Sequence, residues 1–515
     1  MRIKNSFFKK KNSNHTPAPH ETENFSLQLF TSVQENIENI QRMYGNPSDL
    51  VIRKLKIADI SCCIIYIDGL VDSDLINSKI IKNIQFHQNT IDSTQPNTLL
   101  KDLTLKLLSV GEIKKVDTLD DVSLPVLSGD SALFVDGVKD ALIISSKGSD
   151  GRSVEEPQSE SVIRGPREGF VENIRTNTAL VRKHFRDPNV RVKSYKLGKR
   201  SKKDVAIMYI DGIVHPDIVE EVERRLKDVD LDDIPETGFI EEFIQDSIMS
   251  PFPQLQHTER PDRVSAAIVE GRVAIFLDGT PFVLLAPSVF MNFLQSPEDY
   301  YERWAIGSLI RGLRYLGAFI SVFAPALYIA LVSFHQGMIP SKLAFSIAST
   351  REGVPFPAII EAFLMAITME LLREAGARLP KAIGQTVGIV GGLVIGEAAV
   401  SAGIVSPIMV IVIAITAIAT FALPSYSFGV SLRMLRFAFM IAAASFGFYG
   451  IVLAYIAVNI HLVNLRSFGV PYTVPFAPSF YGDWKDLVVR SPHTVMKRRP
   501  TYLMPRDTIR KKGKG

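Results

Sequence analysis

The chain has 515 residues, 46% of them hydrophobic and 22% charged, a formal charge of +4 and two cysteines. That charge is too weak to imply a nucleic-acid partner, and the adjacent Cys62 and Cys63 make neither a zinc cluster nor a disulfide framework. Residues 315–341 contain no Asp, Glu, Lys or Arg, and residues 382–432 contain only Glu397, which excludes a purely soluble protein and wholesale disorder.

Residues 1–49 read as a basic, polar and mostly flexible leader, with Arg2, Lys4, Lys9, Lys10 and Lys11 near its start and no apolar stretch for a signal peptide. A duplicated region follows. Residues 62–76, CCIIYIDGLVDSDLI, parallel residues 205–219, VAIMYIDGIVHPDIV, and ALFVDG at 132–137 parallels AIFLDG at 274–279. Asp68 and Asp211 lie 143 residues apart, Asp136 and Asp278 142, and Gly129 and Gly271 again 142. Three landmarks at offsets of 142–143 argue for two copies of one domain, placed at 50–150 and, with the link to the membrane, 201–304. In each copy a β-branched run ending in Asp-Gly reads as a buried strand and a turn. In the first copy, helices are expected near Leu75–Ile84 and Leu99–Leu108, then short strands near Val122–Leu127, Leu133–Val135 and Leu142–Ile144. The second repeats them as helices near Ile218–Leu226 and Phe239–Ile248, then strands near Val264–Val269, Ala274–Leu277 and Phe282–Leu285. Each unit is a small mixed α/β domain.

Between the copies, residues 151–200 read as a polar connector leading into a helix over Val171–Phe185. Arg164, Arg167, Glu168, Glu172 and Arg175 make a dense mixed-charge patch there. It reads as an inter-domain salt-bridge network, with an anion site as the competing reading.

Residues 305–465 are the membrane half. About 20 apolar residues cross a bilayer, and Tyr315–Phe334, Ala382–Val400, Val405–Leu423 and Phe437–Leu462 qualify. Ala358–Leu372 is shorter and carries Glu361 and Glu370, so four to six spans are expected. Arg303, Arg311, Arg314, Arg373, Arg378, Lys381, Arg433 and Arg436 mark cytoplasmic ends. Five spans would send the basic tail, residues 466–515, outside against the positive-inside rule; either Ala358–Leu372 is re-entrant or one charged loop breaks the rule.

Gly384, Gly388, Gly392 and Gly396, spaced by four, line one helical face as a packing ridge. Pro325 and Pro407 can kink their helices and are candidates for gating. Glu361 and Glu397 are costly in lipid and are candidates for a pore lining. Glu361 has no cation within one helical turn, whereas Glu370 has Arg373 three residues on. The competing reading of Glu361 is a buried neutral carboxyl whose hydrogen bond locks its helix. There is no P-loop, dinucleotide-binding glycine fingerprint, His-Glu-x-x-His or nucleophile elbow. Neither catalytic, metal nor cofactor residues are assigned, and no enzyme activity is expected.

Longer motifs carry more. They include RGPREGF (164–170), SPFPQ and TERPD (within 250–262), LDGTPFVLLAP (within 270–287) and QSPEDYYERW (295–304). HQGMIP, STREGVPFP, GQTVGIVGGLVIGEAAVSAGIVSP and PSYSFG continue them through the membrane half. With these the chain resembles the GerA family, the A subunits of bacterial spore nutrient-germinant receptors, over about residues 50–480. The resemblance implies a two-part cytoplasmic domain joined to a polytopic helical membrane domain in the lipids of the spore's inner membrane. It also implies two partners, a transporter-like B subunit that binds the nutrient and a C lipoprotein on the outer face. A subunits of this kind are thought to form a homo-oligomeric, ligand-gated channel for monovalent cations whose opening leads to germination. A secondary transporter and a non-conducting membrane scaffold are the alternatives.

Overall fold

The run Ile60–Ile67 is apolar on both of its faces, as a strand covered from both sides requires. It is β2 of a five-stranded antiparallel sheet with β1 (Leu50–Ile57), β3 (Ile113–Val116), β4 (Ser131–Val135) and β5 (Ala141–Ile144), in the order β1-β2-β4-β5-β3. A second sheet, from β6 (Val190–Leu197), β7 (Lys203–Ile210), β8 (Gln256–Thr258), β9 (Val273–Leu277) and β10 (Val283–Ala286), has the order β6-β7-β9-β10-β8, the same path. The computed structural model that provides these coordinates describes residues 28–511 apart from residues 58, 87–94, 104–111, 149–155, 158, 379–391 and 393.

Each sheet lies between two helical layers. In the first unit Val33–Tyr44 and Leu119–Leu127 bury Ile37, Ile40, Val122 and Val126 on one face. Helical residues 73–86 and Pro96–Asp102 bury Ile76, Ile80 and Leu99 on the other. Cys62 and Cys63 alternate between the two layers, and burial pushes both free thiols up to about 12. In the second unit Ile174–Lys183 and Pro261–Glu270 cover one face, and Pro216–Lys227 and Thr237–Ile244 the other.

Three sequence expectations change here. Val122–Leu127 and Val264–Val269 are helical, not strands, because Thr118 caps one helix start and Pro261 and Gly271 bracket the other. The stretch read as a flexible leader contains the helix Val33–Tyr44, capped by Ser32. The helix assigned to the connector, Ile174–Lys183, is the equivalent opening helix of the second unit. Both are docked alike: Asp136 Oδ1 accepts from Val33 N at 3.0 Å, and Asp278 Oδ1 accepts from Ile174 N at 3.2 Å. Asn36 and Asn177 make matching bonds to Phe30 and Val171. The Asp-Gly pairs therefore act as turns, and two of their aspartates, Asp136 and Asp278, also hold the start of a helix.

Two helices of the second half, Trp304–Ser333 and Tyr426–Asn464, are long and apolar enough to cross a membrane. Ala358–Arg378, a helix over residues 394–401 and Pro407–Phe421 pack with them. The expected single tilted segment Phe437–Leu462 is not one rod. Gly447 leaves helical geometry at φ 57° and ψ −137°. A straight helix would hold Phe428 and His461 about 50 Å apart, yet their rings lie 6.4 and 6.1 Å from the same Phe252 ring. The segment is a helical hairpin folded back at Gly447, with Gly450 so close to the Ala442 carbonyl that a Cβ would collide with it.

The chain then returns to the second unit. Ser467 Oγ donates to Gln254 O at 2.6 Å, Tyr472 OH donates to Pro253 O at 2.8 Å, and Arg506 N donates to Ile213 O at 2.9 Å. Tyr502, Leu503, Val474 and Val289 form a small core of their own, so residues 466–511 are a folded strap and not a loose basic tail.

Candidate functional site

Glu361 does not stand unpaired. It is fully buried at the start of Ala358–Arg378, its Oε1 3.1 Å from Arg351 Nη2, and its Oε2 accepts from Ser406 N at 2.8 Å. The partner comes from the preceding helix, Ser341–Arg351, beyond the one-turn window in which sequence spacing finds ion pairs. Pro407 begins Pro407–Phe421 behind its capping Ser406 and does not kink a helix. Trp304–Ser333 runs on through buried Pro325. Glu370 meets Arg373 at 3.7 Å, but Arg436 is closer, at 2.7 Å.

Glu397 differs from both of these carboxylates. It lies on the 394–401 helix, exposed beside exposed Val394 and Ile395, with no ion-pair partner among the described residues. Gly396 next to it faces Val410 at 3.5 Å, while a side chain at Gly392 would meet open space. Gly384 and Gly388 lie outside the described residues. The ridge therefore has one member packed within the chain and one free toward the surroundings.

The soluble units connect to this half through charge. Arg311 and Arg314, on the first turns of Trp304–Ser333, both hold buried Asp299, at 3.1 and 2.6 Å. Arg311 also holds Asp486 of the strap at 2.7 Å, and Tyr300 donates to Asp486 at 2.6 Å. One buried network thus joins the second unit, the first long helix and the strap. An open cleft of about 290 Å³ lies nearby, between Ser250–Pro253 and Tyr426–Ser431.

Of the connector patch, Arg175 reaches across to the first unit, while Arg164, Arg167 and Glu168 do not. Arg164 reaches Glu302 at 3.8 Å, Arg167 pairs with Glu156 at 3.0 Å, and Glu168 is exposed. The unit-to-unit pin is Arg182, fully buried and bidentate to Asp49 at 2.6 and 2.9 Å. Arg175 adds a longer pair with Asp68 at 3.2 Å. Sequence reasoning missed Arg182 and Asp49, which are 133 residues apart and share no motif. Among the described residues no cluster of His, Cys, Asp and Glu could hold a metal ion.

The family described as Bacillus/Clostridium GerA spore germination protein matches residues 38–502. Spore germination protein GerLA of Bacillus cereus is 49% identical over 94% of this chain and 99% of its own length. Spore germination protein KA of Bacillus subtilis is 44% identical, over 94% of this chain and 88% of its own. A crystal structure of the N-terminal domain of the A subunit of the Bacillus megaterium spore germinant receptor GerK3 is 35% identical, covering 52% of this chain and 98% of that one, with a TM-score of 0.41. The chain belongs to the GerA family of spore germination proteins.

Proposed function

We propose that this chain is the A subunit of a spore nutrient-germinant receptor, that it crosses the spore's inner membrane six times, and that copies of it surround a path for monovalent cations. The proposed passes are the helices Trp304–Ser333, Ala358–Arg378 and Pro407–Phe421, the two arms of the Gly447 hairpin and, from hydropathy alone, the apolar stretch Ala382–Val400. An even number puts the soluble units and the basic strap on one face, the cytoplasmic one, in accord with the positive-inside rule. The family resemblance brings a nutrient-binding B subunit and a C lipoprotein as partners. The boundary between the soluble units falls between Ile144, where the first sheet ends, and Ile174, where the second unit opens, and boundaries near residues 304 and 465 set off the membrane half and the strap.

The observation that carries the cation path is Glu397. With no ion-pair partner among the described residues, on an apolar helix read as membrane-spanning, this carboxylate is taken to face water or another subunit. A ring of such groups favours cations and repels anions. Pairing to Arg351 takes Glu361 out of that role and leaves it as a lock between helices.

Monovalent-cation flux into lipid vesicles containing the full chain tests the reading. The wild type conducts, Glu397→Gln lowers cation conductance or cation-over-anion selectivity, and Glu361→Gln leaves selectivity unchanged. Flux coupled to a substrate would make the chain a transporter, and no flux of either kind a scaffold.

A further inference from the structure

Three guanidinium groups converge near the soluble-unit end of the helices. Arg373 comes from Ala358–Arg378, and Arg433 and Arg436 from the first arm of the hairpin. All three meet Glu370, at 3.7, 3.3 and 2.7 Å. Among the described residues no second carboxylate pairs with them. Between Glu361 and Asp483 the sequence has only Glu370, Glu374 and Glu397. Glu374 is spent on Arg378 at 2.6 Å, and Glu397 sits on another helix. The cluster therefore carries two uncompensated positive charges.

Its donors are also unspent. Arg436 is 2% exposed, yet its Nε has no hydrogen-bond partner, and neither do Nε and Nη1 of Arg373. Burying such donors unpaired is costly unless an acceptor arrives. Aromatic rings hold the groups in place: Phe421 lies 4.7 Å from the Arg373 guanidinium, Tyr426 5.5 Å from Arg433 and Phe437 5.5 Å from Arg436. Phe421 ends one helix and Tyr426 begins the next, so the cluster lies at a helix-end level. Phe421, Tyr426 and Leu371 beside it are exposed and apolar. A multivalent oxyanion with an apolar body fits such a place, and basic pockets between helices at the cytoplasmic face suit lipid headgroups.

We propose that Arg373, Arg433 and Arg436 form a binding site for the phosphate of an anionic phospholipid in the leaflet on the soluble-unit side. The site rests on the membrane reading above.

The test is native mass spectrometry of the full chain from vesicles of phosphatidylcholine alone, phosphatidylcholine with phosphatidylglycerol, and phosphatidylcholine with inorganic phosphate, with insertion read by flotation of the same samples. Wild type retains phosphatidylglycerol in preference to phosphatidylcholine. The double variant Arg373→Gln/Arg433→Gln loses that preference by roughly thirtyfold, at about 1 kcal/mol for each of the two basic groups near the surface. Glu370→Gln, which removes the competing carboxylate, raises retention, an effect that misfolding cannot imitate. A chain that floats and shows no preference, or equal retention in the double variant, overturns the site alone. Retention of inorganic phosphate without phosphatidylglycerol overturns the lipid as its source. A chain that does not float overturns the membrane reading and the site together.

Discussion

Arg182 and Asp49 show what a single buried pair does here. Removing one partner leaves a charge without water or counterion, so Arg182→Ala is expected to cost about 3–5 kcal/mol, measured by denaturation of the full chain in detergent. The double variant with Asp49→Ala should cost less than the sum of the two single changes, since the orphaned charge is then gone. Glu270 makes a prediction in pH. Desolvation by the chain packed around it, with Asp486 adding to the effect, pushes its carboxyl up to about 7 from an ordinary 4.5. The fold thus disfavours the charged form: this contribution to stability is complete below about pH 4.5 and is lost as pH rises through 7. Glu270→Gln should remove that slope from a thermal-stability profile between those values; an unchanged profile would refute the assignment. Little of this was legible in sequence. Glu370 and Arg373 could be paired because they are three residues apart, but Arg351 reaches Glu361 from another helix, and Arg182 reaches Asp49 from another unit.

At the scale of elements, Gly447 carries the greatest consequence. Its left-handed φ and the His335 ring beside it leave no place for a Cβ, so Gly447→Ala should lower stability by about 1–3 kcal/mol and open the hairpin to protease. Gly392→Ala, whose Cβ meets open space, should leave the stability of the isolated chain within about 0.5 kcal/mol. If Gly392→Leu then breaks up oligomers, the ridge faces another subunit. Strands β2, β4, β7 and β9 were readable because their apolar runs end at Asp-Gly. Val122–Leu127 was misread as a strand because the short apolar run VSLPVL has no clear period, and Pro125 hides the helix Leu119–Leu127 that Thr118 starts. The strands β1 and β6 went unseen because alternating lysines and arginines conceal them: they are edge strands with one face toward water.

At the scale of the whole molecule, duplication was plain in sequence because three landmarks kept offsets of 142–143. Its extent was not, since the opening helices Val33–Tyr44 and Ile174–Lys183 share almost no residues except the asparagines that dock them. Topology stayed open for a similar reason: hydropathy counts an apolar run and cannot see a reversal inside it. Under the six-span proposal, the hairpin at Gly447 and the strap bonded to the second unit give the even count that the basic residues call for. Two-sided labelling of single cysteines, on a Cys62→Ser/Cys63→Ser background in sealed membranes, tests this most directly. Gly337→Cys and Ser445→Cys should react with an impermeant reagent from the face opposite the soluble units. Thr508→Cys should react only after the membrane is opened to the other side. Labelling of Thr508→Cys from the same face as Gly337→Cys would contradict the account.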